Sequence, residues 1–197
     1  MDTGHRSRAL ALALTAALAA CGAEAYPPAA PDARRVPSDD SGPIDQCEDQ
    51  SATLGRCQLE GSGEECTGVP DESRLFVELG YGDSVTMVRG PQGAWMFVLA
   101  LQTDGIVPGD PDNPVDPSNP DVDIILTRNG YELSRYRGTP GFTPSAAAPD
   151  ALEAAGLFVI LDGNVSEVID SEVVATAKVV DADGTARCGQ VMFVASQ

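Results

Sequence analysis

The chain has 197 residues, 43% of them hydrophobic and 5% aromatic, and its 30 acidic residues outnumber 12 basic ones to leave a net charge of −18. Charge of that sign and size repels nucleic acid and anionic lipid head groups, so neither is an expected partner surface. A single histidine, His5, and five cysteines bound the reactive chemistry available.

The N-terminus, MDTGHRSRALALALTAALAACG, sets His5, Arg6 and Arg8 ahead of an unbroken Ala/Leu/Thr run from Ala9 to Ala20. A helix of that length rises about 18 Å, well short of a bilayer core of about 30 Å, so the run reads as a secretory signal and not as a membrane span. Leu18-Ala19-Ala20-Cys21 resembles the lipobox of bacterial lipoproteins. The resemblance implies that the Cys21 thiol is lipidated, that cleavage removes residues 1–20, and that Cys21 heads the mature chain. Each buried acyl CH₂ contributes about 0.8 kcal/mol, so a diacylglyceryl group with added palmitate forms a lasting anchor. Gly22 and Ala23, with no Asp after the cysteine, imply the outer membrane. The rival cut, after Ala23-Glu24-Ala25, releases a soluble chain beginning at Tyr26; the position of Cys21 directly after the apolar run favours lipidation.

Residues 21–46, rich in Ala, Pro, Asp and Ser, have almost nothing to bury and read as a disordered tether. Residues 47–70 carry Cys47, Cys57 and Cys66 amid Gly, Glu and Ser, and read as a segment that needs disulfides for order. With Cys21 spent on the anchor, Cys47, Cys57, Cys66 and Cys188 remain. An even number in an oxidising compartment implies two bridges, with three possible connectivities. Zinc is disfavoured, because no C-x-x-C pair exists and the mature chain lacks histidine. The short spacing suits Cys57–Cys66. That leaves Cys47–Cys188, whose loop of more than a hundred residues corresponds to about 4–5 kcal/mol at most in the chain-entropy view. Losing Arg6, Arg8 and Asp2 with the signal leaves ten basic and 29 acidic residues.

From residue 71 to 197 the pattern is that of strands. Leu75 to Leu79 and Ser84 to Arg89 are short β-prone runs, Gly90-Pro91-Gln92-Gly93 is a turn, and Ala94 to Thr103 is a long apolar strand. Asp104 to Pro120 reads as a loop. Val122 to Arg128 and Tyr131 to Arg137 flank Asn129-Gly130, a strong hairpin signal because both residues tolerate positive φ. Gly138 to Gly156 reads as irregular with one helical turn at Pro149 to Ala155, and Leu157 to Leu161 as a strand. Ser171 to Val180 alternates, setting Val173, Ala175, Ala177 and Val179 on one face. Asp181-Ala182-Asp183-Gly184 then turns the chain into Ala186 to Ala195. The sum predicts an all-β domain, an antiparallel immunoglobulin-like sandwich of seven to nine strands, with an up-and-down barrel as the alternative.

Val88-Arg89-Gly90-Pro91-Gln92-Gly93-Ala94-Trp95, Leu157 to Leu161 and Val179-Val180-Asp181-Ala182-Asp183-Gly184 resemble the successive motifs of an uncharacterised family of bacterial envelope lipoproteins. That family has a GPQGG-type turn before an aromatic strand and a β-sandwich ending in a DADG hairpin. Its members often carry a histidine after the aromatic residue, where this chain has Met96. The resemblance implies a fold and no activity.

Catalytic readings find little support. His5 leaves with the signal, which removes imidazole bases and Ser-His-Asp or Cys-His centres. No G-x-S-x-G elbow exists, a Ser-Lys dyad would have to use the sole lysine, Lys178, in an alternating strand, and nothing marks a pair of carboxylates. The unusual feature is TDGIVPGDPDNPVDPSNPDVD, with a six-residue repeat beginning at Asp110 and Asp116. Asp110, Asp112, Asp116, Asp121 and Asp123 offer the hard oxygens that Ca²⁺ prefers, though Pro108, Pro111, Pro114 and Pro117 extend the chain and no EF-hand spacing is present. Trp95 is the candidate platform for a sugar. The expectation is a non-catalytic, cofactor-free envelope module, structural or binding an envelope protein or glycan. The alternative is a calcium- or carbohydrate-binding module using the 104–123 loop.

Overall fold

The computed structural model describes residues 49–59, 74–146 and 148–197. The expected signal and tether, with Cys21, Cys47 and Cys66, lie outside the described residues. Eleven strands are described: β1 Thr53–Leu59, β2 Arg74–Glu78, β3 Ser84–Thr86, β4 Val88–Arg89, β5 Trp95–Thr103, β6 Asp121–Arg128, β7 Tyr131–Gly138, β8 Thr143–Pro144, β9 Leu152–Ile160, β10 Glu172–Val180 and β11 Ala186–Ser196. Eight of them reach five residues or more. They form two sheets, one in the order β2-β1-β5-β9-β8 with β4 also on β5, the other β3-β11-β10-β6-β7. All pairings are antiparallel except β11 with β3. The sandwich expected from the pattern is the architecture observed. Among the described residues no helix is long and apolar enough to cross a membrane.

The core is the sum of the inward faces. On β10, Val173, Ala175, Ala177 and Val179 are fully buried, as the alternation requires, and they meet Phe97, Leu99 and Leu101 of β5 across the sandwich. Phe97 and Phe193 lock the two sheets edge to face, centroids 5.1 Å apart. β5, paired on its two sides by β1 and β9, is buried on both faces: Met96, Val98 and Ala100 line the outer side, beside half-exposed Phe158 and Ile160.

Three segments differ from the sequence reading. β1 falls within 47–70, yet it is an integral strand, pairing Leu54 with Leu101 and burying both. Residues 149–155 hold no helical turn: β9 begins at Leu152, because Ala154 and Glu153 find partners on β5. Between Leu99 and Ala100 the β5–β9 register shifts, leaving Gly156 (φ 73°) as the extra residue of a bulge, a conformation that glycine adopts without a Cβ clash. The third is the 104–120 connection, whose internal order carries over to the candidate sites.

Candidate functional site

The acidic connection is built, with a period of three instead of six. Asp110-Pro-Asp, Asn113-Pro-Val and Asp116-Pro-Ser each form a β-turn, closed by Asn113 N–H on Asp110 C=O (3.2 Å), Asp116 N–H on Asn113 C=O (3.0 Å) and Asn119 N–H on Asp116 C=O (3.1 Å). Proline presets φ at the second position of each turn, and the Asx side chain ahead of it caps the third residue. Asp110 Oδ1 accepts from Asp112 N–H at 3.0 Å, Asn113 Oδ1 from Val115 N–H at 3.4 Å, and Asp116 Oδ1 from Ser118 N–H at 2.9 Å. The Ser118 hydroxyl, with that N–H behind it, holds the Asp116 carboxyl below its usual range.

Buried Asn119 closes the stack. Its Oδ1 accepts from Asp110 N–H (2.7 Å), while Nδ2 donates to the carbonyls of Asn113 (2.9 Å) and Thr139 (3.2 Å). Phe142 N–H adds a bond to Pro108 C=O, so the stack is pinned on the chain that follows β7.

Asp110 and Asp116 direct oxygens at their own backbone, and Asp112 and Asp121 are exposed. Asp123 faces Arg135 (3.7 Å) and Arg137 (3.4 Å) on the sheet. The five aspartates are not brought together: among the described residues no group of three or more His, Cys, Asp or Glu side chains could hold a metal ion.

The Asp181-Ala182-Asp183-Gly184 turn is likewise structural. Asp181 is buried, and its carboxylate accepts from Val107 N–H (2.8 Å), Asp183 N–H (3.0 Å) and Thr185 N–H (2.7 Å), fastening the start of the acidic connection to the β10–β11 turn. Burial pushes its pKa up, and these donors outweigh burial and leave it lowered. Lys178 lies on the outer face of its sheet, in register with Asp123 and Cys188. Trp95 is half-buried at the start of β5 and packs on the core edge, so it is no open platform.

A concavity lies elsewhere, at the end of the sandwich by the β6–β7 turn. Asn129 (φ 51°) and Gly130 (φ 77°) make the hairpin turn that the Asn-Gly pair predicts. Beside it the segment after β9 folds through a 3-10 turn, Val165–Glu167, capped by Asn164, whose Oδ1 accepts from Ser166 N–H and hydroxyl. Arg128 Nη1 donates to the Glu167 carbonyl and ties the two segments. Between them is a groove of about 330 Å³ with Leu133, Leu161 and Val165 on its apolar side and Asn129, Asp162 and Glu167 on its polar side. Tyr131, 60% exposed, stands at its rim. The sequence reading missed this groove: the Asn-Gly turn announced one wall, but the second arrives from thirty residues downstream. No protein-family model matches the chain, and no curated protein does.

Proposed function

We propose that the chain is a lipid-anchored protein of the bacterial cell envelope, attached through Cys21 and displaying its β-sandwich as a non-catalytic structural or partner-binding module. The observation that carries this reading is the order of segments. A basic start and a short apolar run end at Cys21, a stretch to residue 46 with little to bury follows, and a folded all-β unit comes after it. Cys57 and Cys188 are both disulfide-bonded, which agrees with export to an oxidising compartment. The excess of acidic residues directs a partner toward a neutral or basic surface and away from nucleic acid.

Growth with labelled palmitate followed by fractionation tests the anchor. Wild-type chain takes up label and partitions with the outer membrane, and Cys21→Ser takes up none and is found uncleaved or soluble. Normal fractionation of Cys21→Ser with a mature N-terminus at Tyr26 refutes it.

A second reading, a saccharide-binding module, is favoured by the groove beside Tyr131 and not by the 104–123 connection. An exposed aromatic ring next to amide and carboxylate groups suits the apolar face and hydroxyls of a neutral sugar. Calorimetric titration with neutral envelope glycans, wild type against Tyr131→Ala, tests it. Binding lost in the variant supports the groove, and binding unaltered by Tyr131→Ala places the sugar elsewhere.

A further inference from the structure

We infer that an extended, basic peptide segment of a partner protein adds to the open edge of β9 and sets a lysine or arginine side chain in the groove beside Tyr131. This gives a place and a chemistry to the partner of the partner-binding reading, on which it rests.

The open edge follows from the register. Leu161 N–H donates to Trp95 C=O at 2.9 Å, so Leu161, Val159 and Leu157 turn their backbone groups toward β5. Backbone groups alternate sides along a strand, so those of Phe158 and Ile160 point away from β5. The Ser134 hydroxyl, donating to Ile160 C=O from β7, stands on that side. β8 pairs with β9 only at Leu152 and Glu153. Beyond it, Phe158 N–H and C=O and Ile160 N–H have no partner among the described residues. Ala154 to Leu161, AAGLFVIL, holds no charge and no proline, and Phe158 and Ile160 are 42% and 48% exposed. The other described edges carry the usual defences against pairing: β2 has Glu78, β7 has Glu132, Arg135 and Arg137, β8 has Pro144, and β3 is only three residues long.

The groove continues this edge. Leu161, the residue after Ile160, lines it, and so does Leu133, the chain neighbour of Ser134. A peptide paired along Phe158 and Ile160 therefore arrives at the groove with its next residues. There Leu133, Leu161 and Val165 offer apolar surface to a side-chain stem, and the exposed carboxylates of Asp162 and Glu167 offer acceptors to a cationic head. Neither carboxylate has a salt-bridge partner among the described residues, and Arg128, the groove's own cation, is turned onto the Glu167 carbonyl. A second copy of this chain is a poor occupant, because its own β9 edge brings no cation and two molecules of net charge −18 repel. In strand addition, main-chain bonds supply affinity and a side-chain pocket supplies selectivity; here the edge does the first and the acidic groove selects a base.

Hydrogen exchange and fluorescence anisotropy on the full chain test the proposal. Without ligand, the Phe158 and Ile160 amides are expected to exchange quickly beside slow Val159 and Leu161. Four slow amides mean an edge already covered and overturn the proposal. The probe is a short labelled peptide of alternating threonine and valine with an arginine near each end, so that either direction of pairing brings one to the groove. It is expected to bind with a rise in anisotropy and to slow exchange at Phe158 and Ile160. Citrulline in place of both arginines is expected to weaken binding several-fold, as are Asp162→Asn and Glu167→Gln in the protein. Phe158→Pro removes an edge N–H that β5 does not use and is expected to abolish binding. Should that variant not fold, Ile160→Lys is expected to do the same by charging the edge. No change in anisotropy at millimolar concentrations, or equal binding of the citrulline peptide, overturns the proposal, and a neutral glycan bound in the peptide's stead gives the groove to the saccharide reading. Palmitate labelling at Cys21 is scored separately and can succeed where the peptide fails, so the two failures are told apart.

Discussion

Replacing Asn119 by Ala removes a buried side chain that holds three backbone segments at once. The Asp110 N–H loses its acceptor, and the carbonyls of Asn113 and Thr139 lose their donors, while the methyl group offers none of them a partner. At about 1 kcal/mol net for each hydrogen bond, the loss is about 3 kcal/mol, and more where the abandoned groups stay buried. In a domain of this size that lowers the melting temperature by about 6–12 °C. Thermal and urea unfolding with the disulfides intact measure the global cost. Hydrogen exchange at the Asp110 amide measures the local one, and it is expected to quicken because that N–H is released. Asn119→Asp is a control of the same shape: its carboxylate still accepts from Asp110 N–H but confronts two carbonyl oxygens. It is expected to be no more stable than the Ala variant at pH 7 and to recover as the pH falls toward about 4, because the two carbonyls raise its folded pKa above the free value and the acid regains a proton to donate. An Asn119→Ala protein within about 0.5 kcal/mol of wild type, with unchanged exchange at Asp110, refutes the claim that the stack is held from inside.

Asp181 predicts a response to acid: its folded-state pKa lies below the unfolded value of about 3.9, so its contribution is present above that value and lost as the pH falls through the lower, folded one. Melting temperature against pH is expected to drop over that range in wild type and to be flatter in Asp181→Asn, with superimposable profiles counting against the assignment. A Cβ on Gly189 would stand 1.8 Å from the Ala52 carbonyl oxygen, whereas one on Gly130 would meet nothing within 4 Å and suffer only from its positive φ. Chemical denaturation is expected to show Gly189→Ala losing several-fold more stability than the roughly 1–2 kcal/mol of Gly130→Ala, and equal losses would contradict the docking of residues 49–52 on β11. Because the five aspartates of the 104–123 stretch are not brought together, millimolar Ca²⁺ is expected to leave the melting temperature unchanged. A rise that vanishes in the combined Asp110→Asn, Asp112→Asn, Asp116→Asn variant would restore the calcium reading.

How far the sequence could be read depended on the range of the interaction that fixes each feature. The β10 face of Val173, Ala175, Ala177 and Val179 was legible because strand alternation is local, and so were the Asn129-Gly130 and Asp181–Gly184 turns, whose φ requirements belong to the residues themselves. The stack at 110–119 was legible in principle, since Asx-Pro pairs recur every three residues, but the longer DPDNP/DPSNP repeat masked the shorter one. β1 was missed because TLGRCQL has few apolar residues: its place depends on β5 and β2 supplying partners on both sides. β9 was cut short for the same reason, since Glu153, Ala154 and Ala155 are strand residues only through pairing with β5.

By itself, the sequence determined an all-β chain with hairpins at fixed places, because side-chain period and turn stereochemistry act within a few residues. Only the tertiary structure decided which strands share a sheet, that buried Asn119 and Asp181 are saturated with hydrogen bonds and not open to a ligand, that a groove opens beside Tyr131, and which outer face each of Cys57 and Cys188 occupies. Those outcomes depend on contacts between residues far apart in the chain, where the partner that satisfies a buried amide or carboxylate is chosen by packing and not by neighbours in sequence.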